Sequence, residues 1–181
     1  GQANPNLTIR AIINRGGEQG AQHSQALHAW FAHVPGLRVV MPSTVADARD
    51  LLIASVLCKD PVMFIDDRWL YDQEDYLPAI KEIDLTNQNP KISIKGKDIT
   101  IVGSGHSSFL AREAAKILKK ENIYTEVIDI RVLNPLKTSL IKKSVMKTKN
   151  LLVVDSGWTS GGFSAEIITK STEMQLRYSF A

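Results

Sequence analysis

At 181 residues and 44% hydrophobic content, the chain has enough apolar material for one large domain or two small ones. Its 22 basic and 19 acidic residues leave a net charge of only +3, too weak and too dispersed to argue for nucleic acid. No apolar run approaches the roughly 20 residues that span a bilayer, the polar start from Gly1 to Asn6 lacks a signal-peptide pattern, and the single cysteine, Cys58, cannot form an internal disulfide. These features fit a soluble protein of a reducing compartment, with Cys58 as a core thiol.

The first apolar run, Leu7 to Ile13, reads as a buried strand, after which Gly16, Gly17 and Gly20 let the backbone turn sharply. A helix is expected from about Gln25 to His33, which places His23 at or just before a helix N-terminus. There the dipole opposes protonation, and a neutral imidazole can donate or accept a proton. A histidine satisfied by loop carbonyls is the plain alternative, because no partner base or nucleophile is visible nearby. Pro35 and Gly36 turn the chain into a second strand, Leu37 to Met41. Thr44 is a plausible N-cap of the next helix, with Val45, Ala48, Leu52, Ser55 and Val56 on one face, and Val62 to Ile65 follows as a strand. Asp66, Asp67 and Arg68 then stand at the strand's carboxyl end, where open α/β sheets place ligands, although a surface ion pair explains them equally well.

Between about Asp66 and Lys97 the periodicity lapses, as expected of a connection between two units. A second α/β unit starts at Asp98 with a strand into the loop Gly103-Ser104-Gly105. A helix with Leu110, Ala114, Ala115 and Leu118 on one face follows, then the strand Thr125 to Ile130, a helix from Thr138 to Met146, the strand Leu151 to Val154 and a helix near Gly162. The alternation predicts an α/β fold with mostly parallel sheets flanked by helices.

The glycine loop at Gly103 and Gly105 supports a rival reading as a nucleotide site, with Asp129, 24 residues after Gly105, as a ribose-binding acid. Ser108 breaks that fingerprint where a third glycine belongs, so a structural tight turn is the simpler reading. His28 and His33 are five apart, which does not stack them as a metal pair, and no metal site is expected. Trp158 is expected as a core anchor, whereas exposure would mark it as an interface residue.

Several segments carry a resemblance: Ala21 to Gln25, Pro35 to Ser43, Asp60 to Phe64, Arg68 to Tyr71, Val127 to Leu136 and Asp155 to Trp158. In this order they resemble the beta subunit of the thiamine-diphosphate-dependent 2-oxoacid dehydrogenases, the group containing pyruvate and branched-chain 2-oxoacid dehydrogenases, within the transketolase-like superfamily. The resemblance implies that residues 1–80 are the later part of a pyrimidine-binding domain, 81–97 a linker, and 98–181 an incomplete transketolase-type C-terminal domain. It implies oxidative decarboxylation of a 2-oxoacid such as pyruvate, with acyl transfer to lipoamide. Thiamine diphosphate would be shared with an alpha subunit that also holds the magnesium. The implied partners are that alpha subunit, a second beta subunit and a lipoyl-bearing acyltransferase, with neither nucleic acid nor membrane.

By the same resemblance His23 lines the channel beside the thiazolium and lipoyl positions and is the catalytic residue, with Gln22 and Ser24 supporting its loop. The glutamate that activates the cofactor is expected upstream of residue 1. The implied location is the cytoplasm, or the mitochondrial matrix or plastid of a eukaryote. A non-catalytic dimerisation or interaction module, or another transketolase-like enzyme, is the alternative.

Overall fold

Strand β1, Thr8–Ile13, and the buried run Val62–Asp67, strand β3, pair in parallel, with Thr8 opposite Val62 and Ile13 opposite Asp67. The computed structural model describes residues 5–13 and 20–173, so the turn glycines Gly16 and Gly17 lie outside the described residues. Arg38–Val40, strand β2, lies on the other side of β3, also parallel. Between them run helices α1, Gly20–His23, and α2, His28–Ala32, and then α3, Val45–Leu57, which connects β2 to β3. Thr44 caps α3 as expected: the Asp47 N–H donates to Thr44 Oγ1 at 3.1 Å.

The inward face of α3 differs from the expected one. Asp47, Leu51, Ala54 and Ser55 are buried and Val56 is exposed. Apolar residues surround much of this helix, from Leu51 to Ile53 and again at Val56 and Leu57, so periodicity alone could not choose the stripe. Cys58, at the end of α3, is buried in the cluster formed by Val40, Leu51, Val62 and Phe64.

The second sheet has the order β4-β6-β5-β8, built from Lys91–Ile94, Thr125–Asp129, Ile99–Gly103 and Leu151–Val153 respectively. Only β4 runs antiparallel, against β6. Residues 91–94 of the expected linker are therefore an edge strand of this sheet; a short run of alternating apolar residues gave too little signal among the flanking prolines and glycines. Helix α4, Gly105–Lys120, covers the sheet through Ser107, Ser108, Ala111 and Ala115, while Leu110 points outward and is exposed. Small residues are needed on that face because the helix starts immediately against Gly103.

The chain then crosses between sheets. Arg131 adopts a left-handed backbone, φ +60°, and Val132–Asn134, strand β7, leaves the second unit to pair antiparallel with β2. The first sheet is thus β1-β3-β2-β7. Helices α5, Ser139–Thr148, and α6, Phe163–Thr172, complete the described chain. One apolar cluster joins Val39, Met41 and Ile65 of the first sheet to Val102, Ile128 and Phe163 of the second unit, so the two sheets share a core. Among the described residues no helix is long and apolar enough to cross a membrane.

Candidate functional site

Where the two units meet, a groove of about 550 Å³ runs between the α1–α2 segment and the loop joining β8 to α6. Ala21, Ser24, Gln25 and Trp30 line one wall, and Ser156, Trp158 and Gly161 line the other. Ser24 therefore reaches the groove. Gln22 and His23 do not line it; both are exposed on α1, between the wall residues Ala21 and Ser24. His23 is the last residue of the four-residue α1, not the residue before a longer helix, so the expected N-terminal dipole does not act on it. Helix α2 begins only at His28, because Ser24 to Leu27 form the turn and groove wall instead.

Two groups that sequence reasoning did not bring together join the two walls behind the groove. His28 is fully buried, and its Nε2 lies 2.8 Å from Asp155 Oδ1. Asp155 also accepts the Gly157 N–H at 3.0 Å and the Ser164 N–H, in the first turn of α6, at 2.9 Å. Burial works against its charge, but the His28 contact and these amide donors outweigh that cost and hold its carboxyl down at about 2. The Phe163 ring meets the imidazole edge to face, with centroids 6.4 Å apart. A carboxylate at a helix N-terminus and a histidine 127 positions away thus tie the two walls together. No spacing rule could have found the pair.

Trp158 is 81% exposed, which overturns its expected role as a core anchor and leaves the interface reading. Trp30, across the groove, is also exposed. The glycine loop at Gly105 is already filled from within the chain. Gly105 has φ +52°, and a Cβ there would meet Met41 Cε at 2.4 Å and Asp67 Oδ2 at 3.1 Å. Asp67 Oδ2 accepts the His106 N–H at 3.0 Å, and Oδ1 accepts the Trp69 N–H at 3.2 Å, so the protein's own carboxylate occupies the start of α4. Asp66 pairs with Arg10, whose Nη2 donates to the Tyr71 hydroxyl at 3.2 Å. Burial nevertheless raises the Asp66 carboxyl.

Asp129 is equally unavailable to a nucleotide. It is buried between the units, accepts a hydrogen bond from the Ser43 hydroxyl, and leaves Oδ1 without a partner among the described residues. Arg112 holds Ser43 through its hydroxyl and its carbonyl, both at 2.9 Å, while Arg131 pairs with Asp47 at 3.1 Å. Burial, opposed by the Ser43 bond and reinforced by Asp47, pushes the Asp129 carboxyl up to about 6.

A folded pKa above the unfolded one favours the fold most when both states are protonated. That contribution is present below about pH 4 and is lost as pH rises through about 6. Asp129→Asn should remove this loss. Urea unfolding at pH 4 and pH 7 should show the variant gaining roughly 3 kcal/mol on the wild type over that interval; a constant difference would contradict the raised value.

Two mostly parallel sheets flanked by helices meet at this groove, and the domain matches along the chain place it in the transketolase-like class. Residues 1–73 match the transketolase pyrimidine-binding domain and residues 90–179 the transketolase C-terminal domain. Among solved structures, a split-gene transketolase described as an inactive beta4 tetramer superposes with a TM-score of 0.79 at 22% identity, over 98% of this chain and 56% of that one, and shares the fold.

The chain belongs to the transketolase-like family that these two domains define, and the curated relatives it matches are named as beta subunits of 2-oxoacid dehydrogenases. It is 38% identical to pyruvate dehydrogenase E1 component subunit beta-1, mitochondrial, of Oryza sativa subsp. japonica, over 98% of this chain and 48% of that protein. It is 35% identical to 2-oxoisovalerate dehydrogenase subunit beta 2, mitochondrial, of Arabidopsis thaliana, over 92% and 47% respectively. The chain spans about half the length of the curated relatives it matches.

Proposed function

We propose that this chain is part of the beta subunit of a thiamine-diphosphate-dependent 2-oxoacid dehydrogenase, acting with an alpha subunit, a second beta subunit and a lipoyl-bearing acyltransferase. Its domains would divide around residues 81–97, with β4 counted to the second unit. The assembly would work in the cytoplasm of a bacterium or in the mitochondrial matrix or plastid of a eukaryote. The observation that carries the reading is the groove between the units, walled by residues on both sides of His23, in a chain whose relatives at 35% and 38% identity are beta subunits of two such dehydrogenases.

The described residues do not fit a diphosphate or magnesium site. The strand-glycine-helix turn that offers amide donors to an anion is filled by Asp67, and no group of three or more candidate ligands occurs among the described residues. In keeping with the family resemblance both would be held by the alpha partner, and the cofactor, when bound, would supply the carbanion that attacks the keto carbon. This chain's own contribution is made at acyl transfer. As the acyl group reaches one lipoyl sulfur, the S–S bond breaks, takes up the two electrons released by oxidation of the decarboxylated fragment, and leaves a thiolate on the other sulfur. His23 Nε2 or Nδ1 donates the proton that thiolate needs, and Gln22 and Ser24 hold the loop.

Reconstitution tests the reading. The full-length chain with its alpha partner should decarboxylate a 2-oxoacid and acylate a lipoyl domain. Association without turnover would establish the interaction-module alternative instead.

A further inference from the structure

We propose that His28 is a positioning residue that sets the width of the groove by locking the β8–α6 loop onto the segment that carries His23. The inference rests on the functional reading only for the identity of the groove's ligand. His28 is 0% exposed, directly follows the Ser24 to Leu27 stretch that contributes to the groove wall, and among the described residues is not in a group of three or more candidate metal ligands. Its Nε2 meets the one oxygen, Asp155 Oδ1, that also receives the Gly157 N–H. Gly157 is pressed against the imidazole: a Cβ there would lie 3.2 Å from His28 Cε1.

The division of labour within this cluster separates positioning from folding. Asp155 keeps two backbone donors, Gly157 and Ser164, whether or not the imidazole is present. Those amides hold the loop's own shape and the start of α6. Among the described residues, only the His28 bond crosses from Asp155 to the opposite wall of the groove. Loss of the imidazole therefore removes the polar tie that holds the loop at Gly157 to the opposite wall, while the apolar packing of Ala29 and Phe31 against the cluster of Phe163 and Ile167 keeps the body of α6 in place. The exposed Trp158 rides on the released loop, across from Trp30.

The test uses the full-length protein in its assembly with three variants: His28→Ala, His28→Gln, which keeps an amide donor for Asp155, and His28→Leu, which fills the space without one. Hydrogen–deuterium exchange of residues 156–162 should rise at least about tenfold in His28→Ala and His28→Leu, with β8 and the body of α6 unchanged, and return toward wild type in His28→Gln. In the same variants the KM for the lipoyl domain should rise by about tenfold while decarboxylation measured with an artificial oxidant keeps its kcat.

Uniformly faster exchange across the whole C-terminal unit, or unchanged exchange in the loop, would overturn the inference. Equal behaviour of His28→Gln and His28→Leu would do the same, because packing alone would then account for the residue. Exchange does not depend on turnover. An assembly with no lipoyl acylation at all would remove the functional reading while the exchange data still decide whether His28 locks the loop.

Discussion

His23→Ala in the reconstituted full-length assembly should slow acylation of the lipoyl domain by about 100-fold or more, the usual contribution of a positioned proton donor. The decarboxylation half-reaction, followed with an artificial oxidant, should change severalfold at most, because the proton in question is needed only when the lipoyl S–S bond breaks. His23 is exposed and ends a four-residue helix, so its removal leaves no buried donor or acceptor unpaired among the described residues and should leave the thermal midpoint close to wild type. Single-turnover acylation and steady-state decarboxylation on the same preparation check both halves. Intact acylation would strip His23 of the assigned role, and an equal fall in both reactions would move it to cofactor or substrate binding.

Asp155→Ala should be strongly destabilising, costing about 4 kcal/mol. It leaves three donors without their acceptor at once: the His28 ring, the Gly157 amide and the Ser164 amide. The pH dependence has a definite sign. Because the folded carboxyl is held down at about 2, its contribution is present above about pH 4 and is lost as pH falls from about 4 toward 2. The wild type should therefore lose its advantage over the variant across that acid interval, opposite in sign and lower in pH than the loss predicted for Asp129. Urea titrations of both proteins at pH 3, 5 and 7 measure it. A difference that does not shrink toward acid would contradict the depressed carboxyl.

The two predictions mark different depths of legibility. The alternation of strands and helices, the Thr44 cap, the buried Cys58 and the glycine loop at Gly103 to Gly105 were all readable, because each depends on neighbours within a few residues. The ordered segments from Ala21 to Trp158 placed the chain in its family and singled out His23. The stripe of α3 was not readable, since a helix apolar on several sides fits its pattern to more than one rotation, and Leu110 turns outward because α4 packs its small residues against the sheet at Gly103.

Trp158 shows the same limit from the opposite direction. A tryptophan beside glycine satisfies both a core and an interface, and only its surroundings distinguish them. Its 81% exposure, facing a groove, is a property of where the β8–α6 loop lies and not of the loop's own sequence.

What the sequence by itself determined is the list of elements, their order and the class of fold, because hydrophobic period and turn chemistry are local. The tertiary structure alone decided which distant groups meet. Strand β7 leaves its own unit to complete the first sheet, Asp67 fills the start of α4, Asp129 closes on Ser43, and His28 closes on Asp155 across 127 positions. Each of these is a pairing of buried polar groups or backbone edges that must find a partner somewhere. Local pattern states that the demand exists, and only the packed chain states which residue meets it.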